Sequence, residues 1–353
     1  MNELKTGSAH WFALAALALL LPASQAASAW GAQTADAAAP RGCGSSGLTS
    51  YPTAAISNGL MNAVVNLPDA KTGYYRGSRF DWSGVVGCLA YMGHTYFGMW
   101  FPHYDPLIND AITGPVEEFR SGDGDSAMGY DKAKAGGPFV KIGIGVLRKI
   151  DDGPFKFAAP FPLIDGGKWT VHAGRSSVSF EQRLKSPIGI GYAYRKTLTL
   201  EKHEPVLVLR HELKNTGTET IDTQVYDHDF YMLDGVTTGP DTLVRFNFEP
   251  KAEHDLGNDA RIVGKEIRYG RELETGQSSY SVLTGYGSDA ASYDIVVENR
   301  RTGVGVEQTG DQPISRVVFW SIPTTICPEA YLHIKVAPGE TAHWTIRYRF
   351  YGK

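Results

Sequence analysis

Two short segments carry side chains able to move protons. Tyr226-Asp227-His228-Asp229-Phe230-Tyr231 sets an imidazole between aromatic residues and beside carboxylates, and Ile326-Cys327-Pro328-Glu329-Ala330 sets a lone carboxyl just before an alternating run. Imidazole is the side chain whose ordinary pKa lies nearest neutrality, and neighbouring carboxylates are expected to favour its protonated form. A positioned imidazolium and a carboxylate make an acid and a base for general acid–base chemistry. Taken singly, each is more often a structural residue. Other chemistries lack their motifs: there is no G-x-S-x-G elbow, no phosphate-binding P-loop and no H-E-x-x-H. Asp123-Gly124-Asp125 hints at a calcium loop, but Met128 and Lys134 stand where such a loop needs Gly and Glu, so a polar surface turn is expected there. No cofactor or metal site is expected.

The elements that must hold these groups are short strands. Gly (40 residues) and Pro (19) punctuate the whole chain, and no stretch after the first residues keeps the three-to-four-residue apolar rhythm of a long helix. Near the C-terminus Leu332, Ile334 and Val336 alternate with Tyr331, His333 and Lys335. After Pro338-Gly339, Ala342, Trp344, Ile346, Tyr348 and Phe350 alternate with Thr341, His343, Thr345, Arg347 and Arg349. This predicts a hairpin with one buried and one polar face, with Glu329 on the polar face by parity. A second hairpin is expected from Val206–Leu213 through Asn215-Thr216-Gly217 to Ile221–Tyr231, with Tyr226, His228 and Phe230 on one face. A third is expected from Asp294–Glu298 to Val304–Gln308. Strands are also expected at Ala193–Leu200 and Val317–Ile322. Strands this frequent without helices between them predict an all-β fold, a large antiparallel β-sandwich.

From Arg195 to the C-terminus the sequence resembles the galactose mutarotase-like proteins, the aldose 1-epimerases and glucose-6-phosphate 1-epimerases. The resemblance rests on Asn215-Thr216-Gly217, on His228-Asp229-Phe230-Tyr231, and on Ile326–Glu329 followed by Pro338-Gly339-Glu340. It implies the supersandwich fold of that family, with His228 as general acid and Glu329 as general base of an anomer interconversion. Both would face one pocket, about one sugar ring apart. It also makes Arg79, His94, Trp82, Glu118, Tyr226 and Phe230 candidates for binding substrate. Arg79 is alternatively a plain surface charge, and the Trp residues alternatively core. The sequence departs from the family at Gly114-Pro115-Val116-Glu117-Glu118-Phe119, which has no His where the family has one. The function expected is that of a carbohydrate-active mutarotase or epimerase without a cofactor. The alternatives are a non-catalytic carbohydrate-binding protein and a lyase- or hydrolase-associated domain on the same fold. A phosphosugar substrate is disfavoured by the absence of a dense Arg cluster.

The first residues suit export. A polar start with Lys5, an apolar run from Trp11 to Leu21 and the small-residue exit Ala27-Ser28-Ala29 read as a secretory signal over residues 1–29. Residues 30–50, rich in Ala, Gly and Ser, read as a leader, and 51–353 as one β-sandwich domain. The expected location is periplasmic or extracellular. The net charge of −4 carries no Lys/Arg block, so nucleic acid and anionic membrane are poor partners, and a mono- or oligosaccharide is the expected one. The apolar run is shorter than a bilayer span, so no membrane association is expected once the signal is cleaved. Cys43, Cys88 and Cys327 permit one disulfide at most, with the pairing open.

Overall fold

A computed structural model describes residues 50–353. The expected signal and nearly all of the leader, with Cys43, lie outside the described residues. Among those residues there is no α-helix, only brief 3-10 turns such as Ala290–Ser292, and no helix is long and apolar enough to cross a membrane.

Two antiparallel sheets build the body. The larger has ten strands, in spatial order Ala260–Val263, Glu266–Tyr269, Thr242–Phe246, Asp294–Asn299, Val304–Gly310, Thr341–Tyr351, Val206–Asn215, Gly191–Leu200, Ser177–Lys185 and Lys168–Ala173. The smaller has six: Lys251–Ala252, Ser279–Thr284, Arg316–Ile322, Thr325–Val336, Ile221–His228 and Val116–Ser121. Alternation decides the facing sides. Leu207, Leu209 and Leu213 from one sheet share a buried cluster with Ile221, Val225 and Leu332 from the other, as sandwiched sheets require. Two smaller sheets, of four strands within 53–95 and three within 138–165, complete the molecule.

The expected strands form, but two of the three expected hairpins do not. Asp294–Asn299 and Val304–Gly310 do pair. Val206–Asn215 instead pairs with Gly191–Leu200 and Thr341–Tyr351, while Ile221–His228 pairs with Thr325–Val336 and Val116–Ser121. Each turn, at Asn215-Thr216-Gly217 and at Pro338-Gly339, therefore carries the chain from one sheet to the other. Asn215 ties these two arches together. Its amide donates to the carbonyls of Glu219 and Val336, its backbone N–H to Glu340, and its carbonyl accepts from Gly339. Alternation specifies which residues are buried, and an arch buries the same residues as a hairpin.

Candidate functional site

The crossing places the two proton-moving segments side by side. Ile221–His228 and Thr325–Val336 are neighbouring antiparallel strands with Tyr226 opposite Tyr331. The same register sets His228 beside Glu329, on the face of the six-stranded sheet turned away from the sandwich core. Their side chains touch, with Nε2 of His228 3.3 Å from Oε1 of Glu329. Parity thus placed Glu329 and Tyr331 on the right face, but the expected gap of one sugar ring is absent.

Around this pair stand several of the expected residues. Glu118, the register partner of Tyr226, accepts hydrogen bonds from the Tyr226 hydroxyl at 2.6 Å, Arg79 Nε at 3.0 Å and Lys141 Nζ at 2.9 Å. Arg79 also meets Asp110 and lies between the rings of Phe80 and Phe157, so it is a site residue and not a free surface charge. Phe230 stacks on the imidazole with centroids 3.8 Å apart, and Trp100 stacks on its other side at 4.7 Å. Phe230 achieves this at φ 47°, a left-handed conformation rare for a bulky side chain and one that marks functional sites. Phe80 and Trp320 close on the imidazole edge-on, at 5.5 and 5.7 Å.

Two expected residues are elsewhere. His94 bonds Asp234 at 2.8 Å and lies 3.3 Å from the Lys353 carbonyl, a tie to the C-terminal residues. Trp82 donates its indole N–H to the Gly77 carbonyl and lines a separate cavity of about 270 Å³ with Arg76, Ser78, Leu107 and Phe161. Sequence reasoning in turn missed Lys141, Asp110, Phe80 and Trp320. Trp320 alone carried a signal: it lies on an expected strand, with the parity of an outward residue.

Burial sets the charges. His228 is 4 % exposed and Glu329 5 %. Burial, reinforced by Arg79, pushes the imidazole well below its usual value, so it is neutral at pH 7 and not the imidazolium expected from its neighbours. Burial raises the Glu329 carboxyl to about 8, with Arg79 opposing the rise. The pair therefore holds one proton near neutrality, on the carboxyl. Burial would raise Glu118 as well, but Lys141 and Arg79 hold it well below the carboxylate range. Nδ1 of His228 is buried without a hydrogen-bond partner, and an orphaned buried nitrogen of this kind calls for an explanation.

Among the cysteines, Cys88 is disulfide-bonded and Cys327, two residues before Glu329 on the same strand and packed with Phe80 and Phe230, is a free buried thiol.

No protein-family model matches the chain, and no curated protein matches it. Solved structures do. A galactose mutarotase related enzyme from Lactobacillus acidophilus superposes with a TM-score of 0.52 at 11% identity, over 85% of this chain and 97% of that one. A GalM/aldose epimerase homologue from C. elegans gives 0.51 at 12% identity, over 85% and 98%. A galactose mutarotase-like protein from Clostridium acetobutylicum gives 0.52 at 12% identity, over 85% and 95%. At such identities the likeness is one of architecture, and the architecture of this chain is the galactose mutarotase-like fold.

Proposed function

We propose that the protein interconverts the anomers of a sugar with His228 and Glu329 as its proton-exchanging pair. The observation that carries this reading is their 3.3 Å contact on the outer face of a sheet in a mutarotase-like fold, where burial keeps the imidazole neutral and raises the carboxyl to about 8. Anomer exchange needs that inventory. One group takes the proton of the anomeric hydroxyl while the other gives one to the ring oxygen. The bond between the anomeric carbon and the ring oxygen breaks and a carbonyl forms; the carbonyl turns and the steps reverse. The pair starts and ends with one proton, and each ring opening or closing moves it from one partner to the other. A proton on Glu329 and one on His228 are the two halves of that exchange.

The short contact also suits the substrate. The anomeric hydroxyl and the ring oxygen are bonded to the same carbon. An acid and a base can therefore reach both from one side of the ring, each at about 2.6–3.2 Å from its oxygen, without the ring between them. The orphaned Nδ1 of His228 leaves a further polar atom for a sugar hydroxyl, and Tyr226, Arg79 and Glu118 supply donors and acceptors nearby.

The test is anomer exchange by NMR on a panel of free sugars, comparing wild type with His228→Asn and Glu329→Gln. Each variant is expected to lose roughly 10²–10⁴-fold in rate, the usual worth of a positioned acid or base. The double variant should lose far less than the product, because both groups serve one exchange. Wild-type rates in both single variants would overturn the proposal. The near-complete burial of the pair favours a second reading, a carbohydrate-binding protein without turnover. Binding of a sugar without anomer exchange in the wild type would support it.

The reading includes export. The signal-like residues 1–29 support it, as does the disulfide at Cys88, since disulfides persist in oxidising compartments. N-terminal sequencing of the protein recovered from outside the cytoplasm should begin near Trp30, and an intact Met1 there would contradict it.

A further inference from the structure

The outer face of the six-stranded sheet has a covered end and an open one. Over Val116–Ser121 and Ile221–His228 it is roofed by Arg79, Phe80 and Trp100. Across the next strands it opens gradually: Val318 and Tyr331 are still buried, and exposure grows toward Tyr280. In register, Glu329 lies opposite Val318, and Val318 opposite Val282; Trp320 lies opposite Tyr280, and Arg316 opposite Tyr331. Tyr280 is 42% exposed, Trp320 and Val282 are half-buried, and the Arg316 side chain keeps 32% of its surface. His254 lies against the far side of Tyr280 with ring centroids 5.5 Å apart. An aromatic row thus leads away from the imidazole: Trp320 at its edge, then Tyr280, then His254.

We propose that this row is the binding platform for a saccharide chain whose reducing-end unit sits at His228 and Glu329, an inference that rests on the function proposed above. Three observations point to a chain. The row is continuous in register with the pair, so the occupant of one adjoins the occupant of the other. Its most exposed large ring, Tyr280, keeps 42% of its surface, and aromatic faces beside a few polar groups suit the C–H faces of pyranoses. Its length also fits. From the strand of Glu329 to that of Tyr280 is two strand spacings, roughly 10 Å, enough for further sugar units beyond the reacting one. Arg316, whose side chain keeps 32% of its surface, borders the same floor and can donate hydrogen bonds to hydroxyls. A free monosaccharide needs none of this surface. The chain therefore selects oligosaccharides with a free reducing end over single sugars.

Calorimetric titration with glucose, galactose and their α-1,4- and β-1,4-linked di- to tetrasaccharides tests this. In at least one series the trisaccharide is expected to bind about tenfold or more tighter than the monosaccharide, the order of gain one further aromatic contact gives. Tyr280→Ala should remove that gain with length, and Tyr280→Phe should keep it. Tyr280 is exposed, so neither variant burdens folding. Affinity independent of length, a gain that survives Tyr280→Ala, or no binding by any member of the panel would overturn the proposal. Anomer exchange, measured separately, keeps the two readings apart. Length-dependent binding without exchange would fail the mutarotase reading and leave the platform standing.

Discussion

Adjacent residues of one strand, Glu117 and Glu118, anchor two charge clusters on opposite faces of the same sheet, because successive strand residues point to opposite sides. Glu117 faces the sandwich interior. It pairs with Lys196 and accepts from His211 at 2.6 Å, with Asp81 3.8 Å from the same lysine. Asp227 and Asp229 meet the Tyr348 hydroxyl in the same interior. Glu118 faces outward and gathers Arg79, Lys141 and Tyr226. Both carboxyls are fully buried, and both are held low against the pull of burial by their cations. The clusters differ in what closes them. The inner one is shut between two sheets, with Glu117, Lys196 and His211 on strands and Asp81 on the loop before Val85–Tyr91. The outer one draws Arg79 and Asp110 from loops and borders the single-proton pair. A cluster shut between two sheets can only hold the fold, whereas one on the outer face can also meet a ligand.

Breaking the inner cluster should have the largest effect. Lys196→Met leaves the Glu117 carboxylate and its acidic neighbours without their buried cation. Removing one partner of a buried pair costs about 3–5 kcal/mol, so urea unfolding should show a loss of that order. A loss below about 1 kcal/mol would mean that the interior charges are hydrated, and the contrast between the faces would fall.

The next effect separates the clusters by pH. Burial raises Glu329 to about 8, above the ~4.3 of an unfolded chain. Between those values the unfolded carboxyl is ionised and the folded one keeps its proton. The folded state then binds more protons, and stability falls as pH rises through this window. Glu329→Gln should lift that penalty, stabilising the protein at pH 8 by up to a few kcal/mol, at about 1.4 kcal/mol for each unit of pH across the window, and hardly at all at pH 4. Melting curves across that range measure it. The inner face shares the direction, since burial pushes Asp81 to about 7 and burial with Glu117 pushes Asp227 to about 8. A residual slope should therefore survive in the variant. In the wild type, anomer exchange should decline above pH 8 as the pair loses its one proton, the falling limb belonging to the pair as a unit.

These faces were unequally legible in the sequence. Strand identity and facing follow from a period of two wherever one side is buried, which is why Trp344, Ile346, Tyr348 and Phe350 are core and Glu329 faces outward. Strand partners did not follow. The turns after Val206–Asn215 and Thr325–Val336 lead to strands that alternate as hairpin arms would, yet each crosses the sandwich. The His228–Glu329 pairing became visible only through the family resemblance, because about a hundred residues separate them. Their protonation was misread from local neighbours: Asp227 and Asp229 adjoin His228 in sequence but meet Tyr348 in the interior, leaving burial to decide. Lys141 and Asp110 reach Glu118 and Arg79 across gaps of 23 and 31 positions in sequence, which no local pattern encodes. His94 stood in a plausible aromatic setting, and only the path of the C-terminal residues shows its bond to Asp234 to be structural.

The smallest effect belongs to the wet edge of the outer cluster. Asp110 touches Arg79 at 2.5 Å, but its side chain is 41% exposed whereas that of Arg79 is 11% exposed. Exposed ion pairs contribute about 0–1 kcal/mol, and Arg79 keeps Glu118 when Asp110 is gone. Asp110→Asn should therefore change unfolding free energy by less than about 1 kcal/mol, with most of that difference vanishing in 1 M salt, where screening shortens to about 3 Å. Glu118→Gln is the internal contrast, for it unbalances Lys141 and Arg79 around a fully buried carboxyl, and added salt should not restore what it loses. If Asp110→Asn were as damaging as Glu118→Gln and equally indifferent to salt, the outer cluster would be as closed as the inner one. The difference between the two faces of the strand would then lie in their neighbours alone and not in access to solvent.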